Sequence, residues 1–568
     1  MPRIFLKKAS IDTSLGWTSD LPGMSRRVPP AHRGASSRST SIQPCSPRTS
    51  RTACRMRSVS GSPLRSSTSR PRSSRSRGGG RRRVQTHPVT CSPETSSILP
   101  GWALTPSGAI LSRTKTVTPA RPSRGRRGLS PGSPRAMLGA VKQRAIILSI
   151  DGFAAFYWRD PQARLPTLRR LAARGVVAAG MEAVFPSTTW PTHVSLVTGV
   201  SPRAHGVVAN HVLNRDTRTP EDLTGDPVYD APALLRAKTV YDRAHESGLR
   251  TAAIDWPATR NATTLDFNLP FFKDQRVFET QTSRAVWEEL RALGYPMHRQ
   301  GEWAQLPKRF HKDEMVGRVA AHVVGRHEPD LLLAHFLCVD SFQHLYGPRS
   351  PEAYWAMEYV DGLIGRLLAA LPAPVLDRTA IFVVSDHGFL PSIREIRPNV
   401  RLRRLGALRV DGDGRMTGEA RFVMNLGAGA LYRLEADARA LDDLARAIAG
   451  MEGVSAMWTS AEYAALGLPA PADHRQVADA MFEAAPGYAF GDGAVGDDEH
   501  GAPKYLGTHG QRPTYADNAA FFLAAGAGIA RGLELPAMRS RDVAPTVARR
   551  LGLTMASVEG AVLEQALT

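Results

Sequence analysis

Short apolar runs alternate with longer segments of helical spacing along the chain after residue 137. Runs rich in Val, Ile, Leu and Phe predict buried strands at residues 144–150, 251–256, 330–339, 378–385 and 519–526. Apolar positions that recur every three or four residues predict amphipathic helices at residues 165–175, 232–248 and 350–371. Because strands and helices alternate, we expect an α/β fold in which helices cover both faces of a mostly parallel sheet.

This alternation changes between His387 and Gly507. Residues 403–418 have the pattern of a polar β-hairpin, and the residues after them suggest a short mixture of strands and helices. We interpret about residues 395–490 as a small α+β insertion that caps or flanks the functional site. Residues 137–568 as a whole are expected to form one domain.

The first 136 residues differ from the rest in composition. Of the 73 Lys and Arg residues in the chain, 26 lie in this segment, together with only 3 of the 52 Asp and Glu residues. The net charge of +21 therefore belongs to this segment, and residues 137–568 are nearly neutral. The segment is rich in Arg, Ser, Pro, Thr and Gly and lacks periodic apolar positions, so it cannot bury enough surface to offset its ordering entropy. We expect residues 1–136 to be disordered.

Three interpretations of the basic segment are open: a tail that binds polyanions, a targeting peptide, or translated sequence upstream of the true start. Few aromatic residues stand between the arginines, which disfavours specific nucleic-acid recognition. The apolar run at the start of the chain is interrupted at once, unlike a secretory signal. A start near Met137 would remove the unusual composition in one step, so we favour a mistaken start or an inert tail.

Two further features narrow the class of protein. Of the four cysteines, only Cys338 lies after residue 137, which excludes a disulfide framework in the domain. No apolar run reaches the length of a membrane span. Together with the missing signal segment, these features predict a cytoplasmic protein, with the periplasm or secretion as the alternative.

Polar side chains that can bind metal ions or phosphate follow the apolar runs or lie in glycine-flanked turns, where open α/β sheets bind ligands. In chain order they are Asp151, Thr189, Asp340, His344, Asp386, His387 and His509. Taken singly, each has an ordinary explanation. Asp151 before Gly152 could be a turn residue, for example, and His509 a loop residue exposed to solvent.

Two threonines stand at a predicted helix start. Pro191 suits the first turn of a helix. A hydroxyl at Thr188 or Thr189 would meet backbone N–H groups and the positive end of the helix dipole, which together favour a phosphate. Simple capping of the helix by one of these side chains is the alternative.

Two pairs of potential ligands have informative spacing. Asp340 and His344 are four residues apart, so a helix would place both on one face, where they could hold one metal ion. Asp386 and His387 are adjacent, and they can serve one site only if the preceding strand ends between them, as the turn-forming Gly388 suggests. A capping Asp and a surface His are the alternative for the first pair.

Taken together, these residues favour a metal site over the separate turn, cap and surface roles. Carboxylates and imidazoles together make two sets of oxygen and nitrogen ligands suited to zinc. Two divalent ions about 4 Å apart would neutralise a phosphoryl group, lower the pKa of a bound threonine hydroxyl and hold the attacking and leaving oxygens. The Thr189 oxygen could then attack phosphorus.

From about residue 144 to 553 the chain resembles the type I phosphodiesterase and nucleotide pyrophosphatase branch of the alkaline phosphatase superfamily. The resemblance rests on the segments IILSIDGF, FPSTTWPTHVSLVTG, LCVDSFQHLYG, FVVSDHGF and GTHG. It implies an alkaline-phosphatase-like fold, Thr189 as the nucleophile and two divalent ions, with zinc as the first choice. It also implies two ligand sets: Asp340, His344 and His509 in one, and Asp151, Asp386, His387 and the Thr189 oxygen in the other.

The resemblance further implies a hydrolase that cleaves phosphodiester or pyrophosphate bonds of a small molecule such as a nucleotide, through a phosphothreonine intermediate. Thr192 stands where the family usually has Asn, and its hydroxyl is a possible donor to a phosphate oxygen. Phosphonoacetate-hydrolase-like or phosphomonoesterase activity is an alternative, because the same metal ligands would serve it. A binding protein that has lost catalysis and attaches through its basic tail is another, although the complete set of site residues argues against it.

Overall fold

The computed structural model describes residues 143–224, 229–435 and 441–568. The disordered segment predicted for residues 1–136 and the start predicted near Met137 lie outside these residues. No helix in the described ranges is long and apolar enough to cross a membrane.

An eight-stranded sheet forms the centre of the domain. In chain order its strands are β1 Arg144–Ile150, β2 Gly175–Ala178, β3 Thr251–Ile254, β4 Phe267–Leu269, β5 Leu331–Phe336, β6 Thr379–Val384, β7 Phe522–Gly526 and β8 Leu533–Leu535. They lie side by side in the order β8-β2-β7-β6-β1-β5-β3-β4. Within this sheet β7 runs antiparallel to its neighbours β2 and β6, and the other pairs are parallel. The prediction of a mostly parallel sheet is confirmed.

Helices cover both faces of this sheet. Successive side chains of a strand point to opposite faces, so Ile146 belongs to one buried apolar cluster and Ile147 to another. The longest helices, Arg309–His327 and Pro351–Ala369, contribute to the first cluster, and helix Val543–Arg550 contributes to the second. The other α-helices are Phe156–Arg159, Pro166–Ala172, Thr189–Thr198, Pro202–His205, Ala231–Leu234, Val240–Glu246, Gln275–Gln281, Arg284–Ala292, Gln300–Trp303, Cys338–Tyr346, Ala373–Leu376, Pro398–Arg404 and Leu441–Ala449.

A second, smaller group of strands lies between the end of β6 and the start of β7. Its four-stranded antiparallel sheet has the order Ala420–Asn425, Ala428–Arg433, Ala480–Ala484, Val454–Thr459. The hairpin expected within residues 403–418 consists of Leu408–Val410 and Met416–Gly418. The insertion predicted for about residues 395–490 falls in this region, and its role as a cap stays a prediction.

Short strand pairs complete the architecture. Leu390–Ile396 pairs with Gly487–Phe490, His500–Gly501 and Gly507–Thr508. The two remaining pairs in the described ranges are Met181–Glu182 with Met538–Arg539, and His211–Asn214 with Thr219–Asp222.

The helix expected over residues 232–248 is divided in two, Ala231–Leu234 and Val240–Glu246. Thr239 begins the second helix, because its side-chain oxygen accepts the N–H of Asp242 while the Asp242 carboxylate accepts the N–H of Thr239. This capping box satisfies the free backbone donors of a helix start. A new helix therefore begins at a position that apolar spacing alone does not mark.

The carboxyl ends of three neighbouring parallel strands bring acidic residues together. Asp151 follows β1 directly, Asp340 lies in the helix Cys338–Tyr346 after β5, and Asp386 comes shortly after β6. Since β1 lies between β5 and β6 in the sheet, these residues share one edge. This is the edge at which open α/β sheets bind ligands.

Candidate active site

Two groups of buried carboxylates and imidazoles lie at this edge of the sheet. One potential ligand atom from each of Asp151, Asp386 and His387 lies within 4.8 Å of the other two, and the same holds for Asp340, His387 and His509. All five residues are buried. His387 belongs to both groups, so residues predicted from separate motifs are neighbours in the fold.

The first group is built from the ends of β1 and β6. The Nε2 atom of His387 lies 3.1 Å from Oδ2 of Asp386 and 3.4 Å from Oδ1 of Asp151. The backbone N–H of Gly152 donates to Oδ1 of Asp386 at 3.0 Å. Strand β6 ends at Val384, before both of its ligands, so the adjacent Asp and His are not held on opposite faces of a strand.

The second group is centred on Asp340. Nε2 of His344, one helical turn away on the same helix, lies 3.1 Å from Oδ1 of Asp340. His509 directly follows the short strand Gly507–Thr508, and its Nε2 lies 3.7 Å from the same oxygen. The four-residue spacing of Asp340 and His344 thus places both side chains on one helix face.

The three histidines share one hydrogen-bond arrangement. The Nδ1 atom of each lies 2.9–3.0 Å from a backbone carbonyl oxygen, and the pairs are His344 with Gly507, His387 with Gly388, and His509 with Ser187. A carbonyl oxygen only accepts hydrogen bonds, so Nδ1 carries a hydrogen, and in the neutral tautomer that this selects Nε2 is the atom with the lone pair. Many metal-binding histidines donate a hydrogen bond to a backbone carbonyl oxygen in this way, which fixes the tautomer.

Several atoms of these groups are buried without a hydrogen-bond partner in the described part of the chain: Asp151 Oδ1, Asp340 Oδ1, Asp386 Oδ2 and His387 Nε2. Isolated buried polar atoms are unfavourable, and a cation among them would satisfy all four. Burial, together with the charges of Asp386 and Asp340, raises the pKa of Asp151 well above its ordinary value. The donor set therefore fits divalent ions with mixed oxygen and nitrogen ligands, the chemistry that zinc prefers.

Thr189 is the first residue of helix Thr189–Thr198, and 7% of its surface is exposed. Thr188 is the N-cap residue, and its side chain makes no capping hydrogen bond. Capping therefore does not explain Thr188. The ring of His193 donates from Nδ1 to the carbonyl oxygen of Thr189 at 2.8 Å, and the same nitrogen lies 3.6 Å from Asp386. His193 thus lies between the helix start and the first ligand group.

Two side chains near the helix start could donate to a phosphate oxygen. Thr192 is fully buried, and its hydroxyl has no hydrogen-bond partner among the residues that the structure describes; its role stays a prediction. Asn210, which sequence reasoning missed, accepts the backbone N–H of Trp190 through Oδ1 at 2.8 Å. That bond holds the side-chain nitrogen of Asn210 beside the helix start.

Two further buried histidines, His193 and His335, lie next to the carboxylates of Asp386 and Asp151. His193 accepts from the Ser149 hydroxyl at Nε2, 2.8 Å away, and burial lowers its pKa to about 3, so the ring is neutral. Nε2 of His335 lies 3.2 Å from Oδ2 of Asp151. Sequence reasoning missed both roles, and the available signal was a single His within an otherwise apolar strand or helix.

Arg309 brings a permanent positive charge to the second group. Its Nη1 lies 3.5 Å from Oδ2 of Asp340 and donates to the Ser341 hydroxyl at 3.2 Å. The guanidinium also lies over the ring of Phe271, 5.8 Å from the centroid. Sequence reasoning missed this residue too, because an Arg at the start of a helix is ordinarily a solvated surface residue.

The model of the type I phosphodiesterase / nucleotide pyrophosphatase family matches residues 145–512. The chain belongs to this family. The resemblance inferred from the motifs is thereby confirmed. All of the metal ligands suggested by the sequence lie within the matched residues, from Asp151 to His509.

Several related proteins match parts of the chain. Human ectonucleotide pyrophosphatase/phosphodiesterase family member 1 is 28% identical over 256 residues, which are 45% of this chain and 24% of the human protein. A pyrophosphatase/phosphodiesterase of Schizosaccharomyces pombe is 28% identical over 253 residues, 44% of this chain and 45% of its own length. Venom phosphodiesterase 2 of Crotalus adamanteus is 23% identical over 262 residues, 46% of this chain and 28% of the venom protein. Each alignment thus spans less than half of the relative.

Solved structures of family members share the fold. Murine ectonucleotide pyrophosphatase/phosphodiesterase 5 has a TM-score of 0.55 at 19% identity, covering 75% of this chain and 100% of the murine chain. An inactive variant of the same murine protein, in complex with AMP, has a TM-score of 0.57 at 20% identity with the same coverage. The predicted α/β, alkaline-phosphatase-like fold is confirmed.

Proposed function

We infer that the chain is a metal-dependent hydrolase that cleaves phosphodiester or pyrophosphate bonds of a nucleotide-like small molecule, with Thr189 as the nucleophile. The observation that carries this inference is the position of Thr189, at the start of a helix that His193 connects to a buried ligand group. A hydroxyl at such a place meets the positive end of the helix dipole, which favours a phosphate.

The buried ligands would hold two divalent ions, for which we propose zinc because imidazole nitrogens and carboxylate oxygens are its usual partners. When bound, such ions neutralise phosphoryl charge and lower the pKa of a bound hydroxyl. The proposed ligand sets are Asp340, His344 and His509 for one ion, and Asp151, Asp386, His387 and the Thr189 oxygen for the other.

The reaction proceeds in two displacements. In the first, the Thr189 oxygen forms a bond to phosphorus while the bond between phosphorus and the leaving oxygen breaks, which gives a phosphothreonine intermediate. In the second, water attacks phosphorus, releases the phosphorylated product and restores the Thr189 hydroxyl. In the first displacement the Thr189 hydroxyl loses one proton and the leaving oxygen takes up one. In the second, water gives its OH group to phosphorus and a proton to the Thr189 oxygen as the bond between that oxygen and phosphorus breaks, so the net reaction consumes one water molecule.

The non-bridging phosphoryl oxygens need hydrogen-bond donors as charge develops on them. The side-chain nitrogen of Asn210 is one proposed donor, because the bond from the Trp190 N–H to Oδ1 fixes the orientation of its amide. The Thr192 hydroxyl is the other, and its lack of a partner in the described residues supports it.

The substrate class rests on the relatives. A murine family member has been solved with AMP, and the curated relatives are named for pyrophosphatase and phosphodiesterase activities. We extend that class to this chain. A phosphomonoester or a phosphonoacetate-like substrate is the second candidate. Arg309 favours it, because its guanidinium beside Asp340 could offset an additional negative charge.

The proposal is tested by assaying the full chain on bis(p-nitrophenyl) phosphate and p-nitrophenyl phosphate, with added zinc and with a chelator. We expect hydrolysis that prefers the diester and disappears with the chelator. A preference for the monoester would support the second candidate. Hydrolysis that persists after complete metal removal would contradict metal dependence. A zinc-loaded protein that cleaves neither ester would favour a phosphonoacetate-hydrolase-like activity or the non-catalytic binding protein.

A further inference from the structure

A third group of potential metal ligands lies in the described residues and shares no residue with the candidate active site. Glu289 belongs to helix Arg284–Ala292, and His322 and His327 belong to helix Arg309–His327. One ligand atom of each residue lies within 4.8 Å of the other two. Only 20% of each histidine side chain and 27% of the Glu289 side chain are exposed.

Each oxygen of the Glu289 carboxylate contacts a different histidine ring. Oε1 lies 3.0 Å from Nε2 of His322, and Oε2 lies 2.6 Å from Nε2 of His327. Burial by itself raises the pKa of Glu289, but the hydrogen bonds with the two histidines outweigh it and hold the pKa below its ordinary value. An ionised carboxylate and two ring nitrogens therefore converge at one place between the helices.

Aromatic neighbours limit the movement of both rings. The ring of Phe267 lies against His327 with centroids 4.5 Å apart, and the ring of Tyr295 lies 6.1 Å from His322. Rings that are packed in this way lose less freedom when they bind a ligand, so the site is partly preorganised.

We propose that Glu289, His322 and His327 form an additional metal site for one zinc-class divalent ion, which joins the two helices. Two imidazoles and one carboxylate are a known zinc ligand set that leaves the fourth position to water. On binding, each ring would present the Nε2 lone pair to the ion and keep its hydrogen on Nδ1. The carboxylate is already ionised.

An ion at this site would stabilise the helix that supports the candidate active site. On the same helix, Asp313 accepts the backbone N–H groups of Leu337 and Cys338, each at 2.8 Å, where the helix that carries Asp340 begins. We therefore expect the additional ion to act on stability, with the chemistry left to the residues around Thr189.

Zinc binding to the full chain, measured by equilibrium dialysis with metal analysis, tests the proposal. The His322→Ala/His327→Ala variant removes the site. His245→Ala/His298→Ala removes two exposed histidines elsewhere and is the matched control. We expect the native chain and the control to bind one more equivalent of zinc than the site variant, and zinc to raise the Tm of the site variant less than that of the other two. Equal stoichiometry in all three proteins would overturn the proposal.

Glu289→Gln keeps the size of the side chain and one hydrogen-bond acceptor while it removes the charge, so it provides a test even where the double variant folds poorly. We expect the additional equivalent to bind at least about tenfold more weakly in this variant, because a neutral amide is a poor zinc ligand. Unchanged affinity would show that the three residues form only a hydrogen-bonded helix contact. Zinc-dependent diester hydrolysis, measured in parallel, reports separately on the ions held around Asp340 and Asp151.

Discussion

The imidazole rings of His387 and His509 are stacked, with centroids 3.6 Å apart and ring planes 8° apart. His387 follows β6, whereas His509 follows the short strand Gly507–Thr508, much later in the chain. Because His387 belongs to both ligand groups, this stack places the two groups side by side. A single phosphoryl group could then contact ions held in both, which is the arrangement that two-metal hydrolysis requires.

Replacing the proposed nucleophile gives the most direct prediction. Thr189→Ala should lower kcat on bis(p-nitrophenyl) phosphate by at least about a thousandfold, because the attacking oxygen is lost. The zinc content should remain close to that of the native protein, since three protein ligands of each ion are unchanged. Steady-state kinetics and metal analysis would measure both quantities.

Thr189→Ser keeps the hydroxyl and is the matched control. It should retain measurable turnover, and acid quenching during turnover should trap a phosphorylated protein with the native and Ser forms but not with the Ala form. Turnover by the Ala variant within tenfold of the native rate would eliminate Thr189 as the nucleophile.

Arg309 should distinguish ester classes. A phosphomonoester carries nearly two negative charges near neutral pH, while a diester carries one. A hydrogen bond from an arginine to a charged group contributes about 1.5–3 kcal/mol, so Arg309→Ala should lower kcat/KM for p-nitrophenyl phosphate about 10- to 100-fold. The value for the diester should change less than about threefold. Arg309→Lys, which retains the charge, should recover part of the loss.

The opposite result for Arg309 would have a clear structural meaning. The guanidinium also lies 3.5 Å from Asp340. Equal losses on both esters, accompanied by lost zinc, would show that Arg309 positions Asp340 and does not bind the substrate.

The metal-ligand candidates could be predicted from the sequence because of where they stand relative to the strands. Asp151 and Asp386 each follow a strongly apolar run, and carboxyl ends of neighbouring parallel strands meet at one edge. The spacing of Asp340 and His344 is likewise a local signal, since a helix brings the two together. The sequence also contains a signal for the start of a new helix after Thr239, because Thr239 and Asp242 have the spacing of a capping box.

Other site residues depend on contacts between distant segments. Asn210 is held at the site because its side chain accepts the Trp190 N–H. The two residues are far apart in sequence, so no local spacing predicts this bond. His335 lies in β5 among apolar residues, where a His is ordinarily part of the core, and only the pairing of β5 with β1 brings it to Asp151. The strand order that places β1 between β5 and β6 is itself a property of the folded chain.

Gly388 was expected to form a turn, but the structure has no turn there: its backbone N–H donates to the carbonyl oxygen of Asn518 at 3.0 Å, so the two segments run close together. A Cβ atom at this position would lie 2.2 Å from the carbonyl oxygen of Asp517 and 2.6 Å from the backbone of Asn518. Gly388→Ala should therefore displace the adjacent His387, lower the free energy of unfolding by about 1–3 kcal/mol and weaken zinc binding. Denaturant unfolding and zinc dialysis would measure the two effects.

Gly362→Ala is the control for this substitution. Its Cβ would meet only the end of the Arg366 side chain, 3.8 Å away, in the interior of helix Pro351–Ala369. Alanine there should be neutral or stabilise the protein by up to about 1 kcal/mol, because it is the better helix former. If Gly388→Ala matched this control in stability and zinc affinity, close backbone packing at Gly388 would not be what holds the ligand in place.

His205 should make the stability of the protein sensitive to acid. Its Nδ1 accepts the N–H of Val207 at 3.1 Å, and its Nε2 pairs with the Ser195 hydroxyl at 2.9 Å. Burial lowers the pKa of His205 to about 3, below the value of about 6.5 expected in the unfolded chain. Between these two values the unfolded chain binds more protons than the folded protein, so the free energy of unfolding falls as the pH decreases.

The size of this effect follows from the same linkage. From pH 6.5 to 5, His205 should contribute a loss of about 2 kcal/mol, since each pH unit is equivalent to about 1.4 kcal/mol. His205→Gln removes the titrating group, so its stability, although lower at pH 7, should fall about 2 kcal/mol less over this range than that of the native protein. Denaturant unfolding at several pH values would measure the difference, with the exposed His298→Gln as the control that keeps the native dependence. Identical dependence in the native protein and His205→Gln would show that this ring titrates near its ordinary pKa, and that the buried pair with Ser195 opens readily to water.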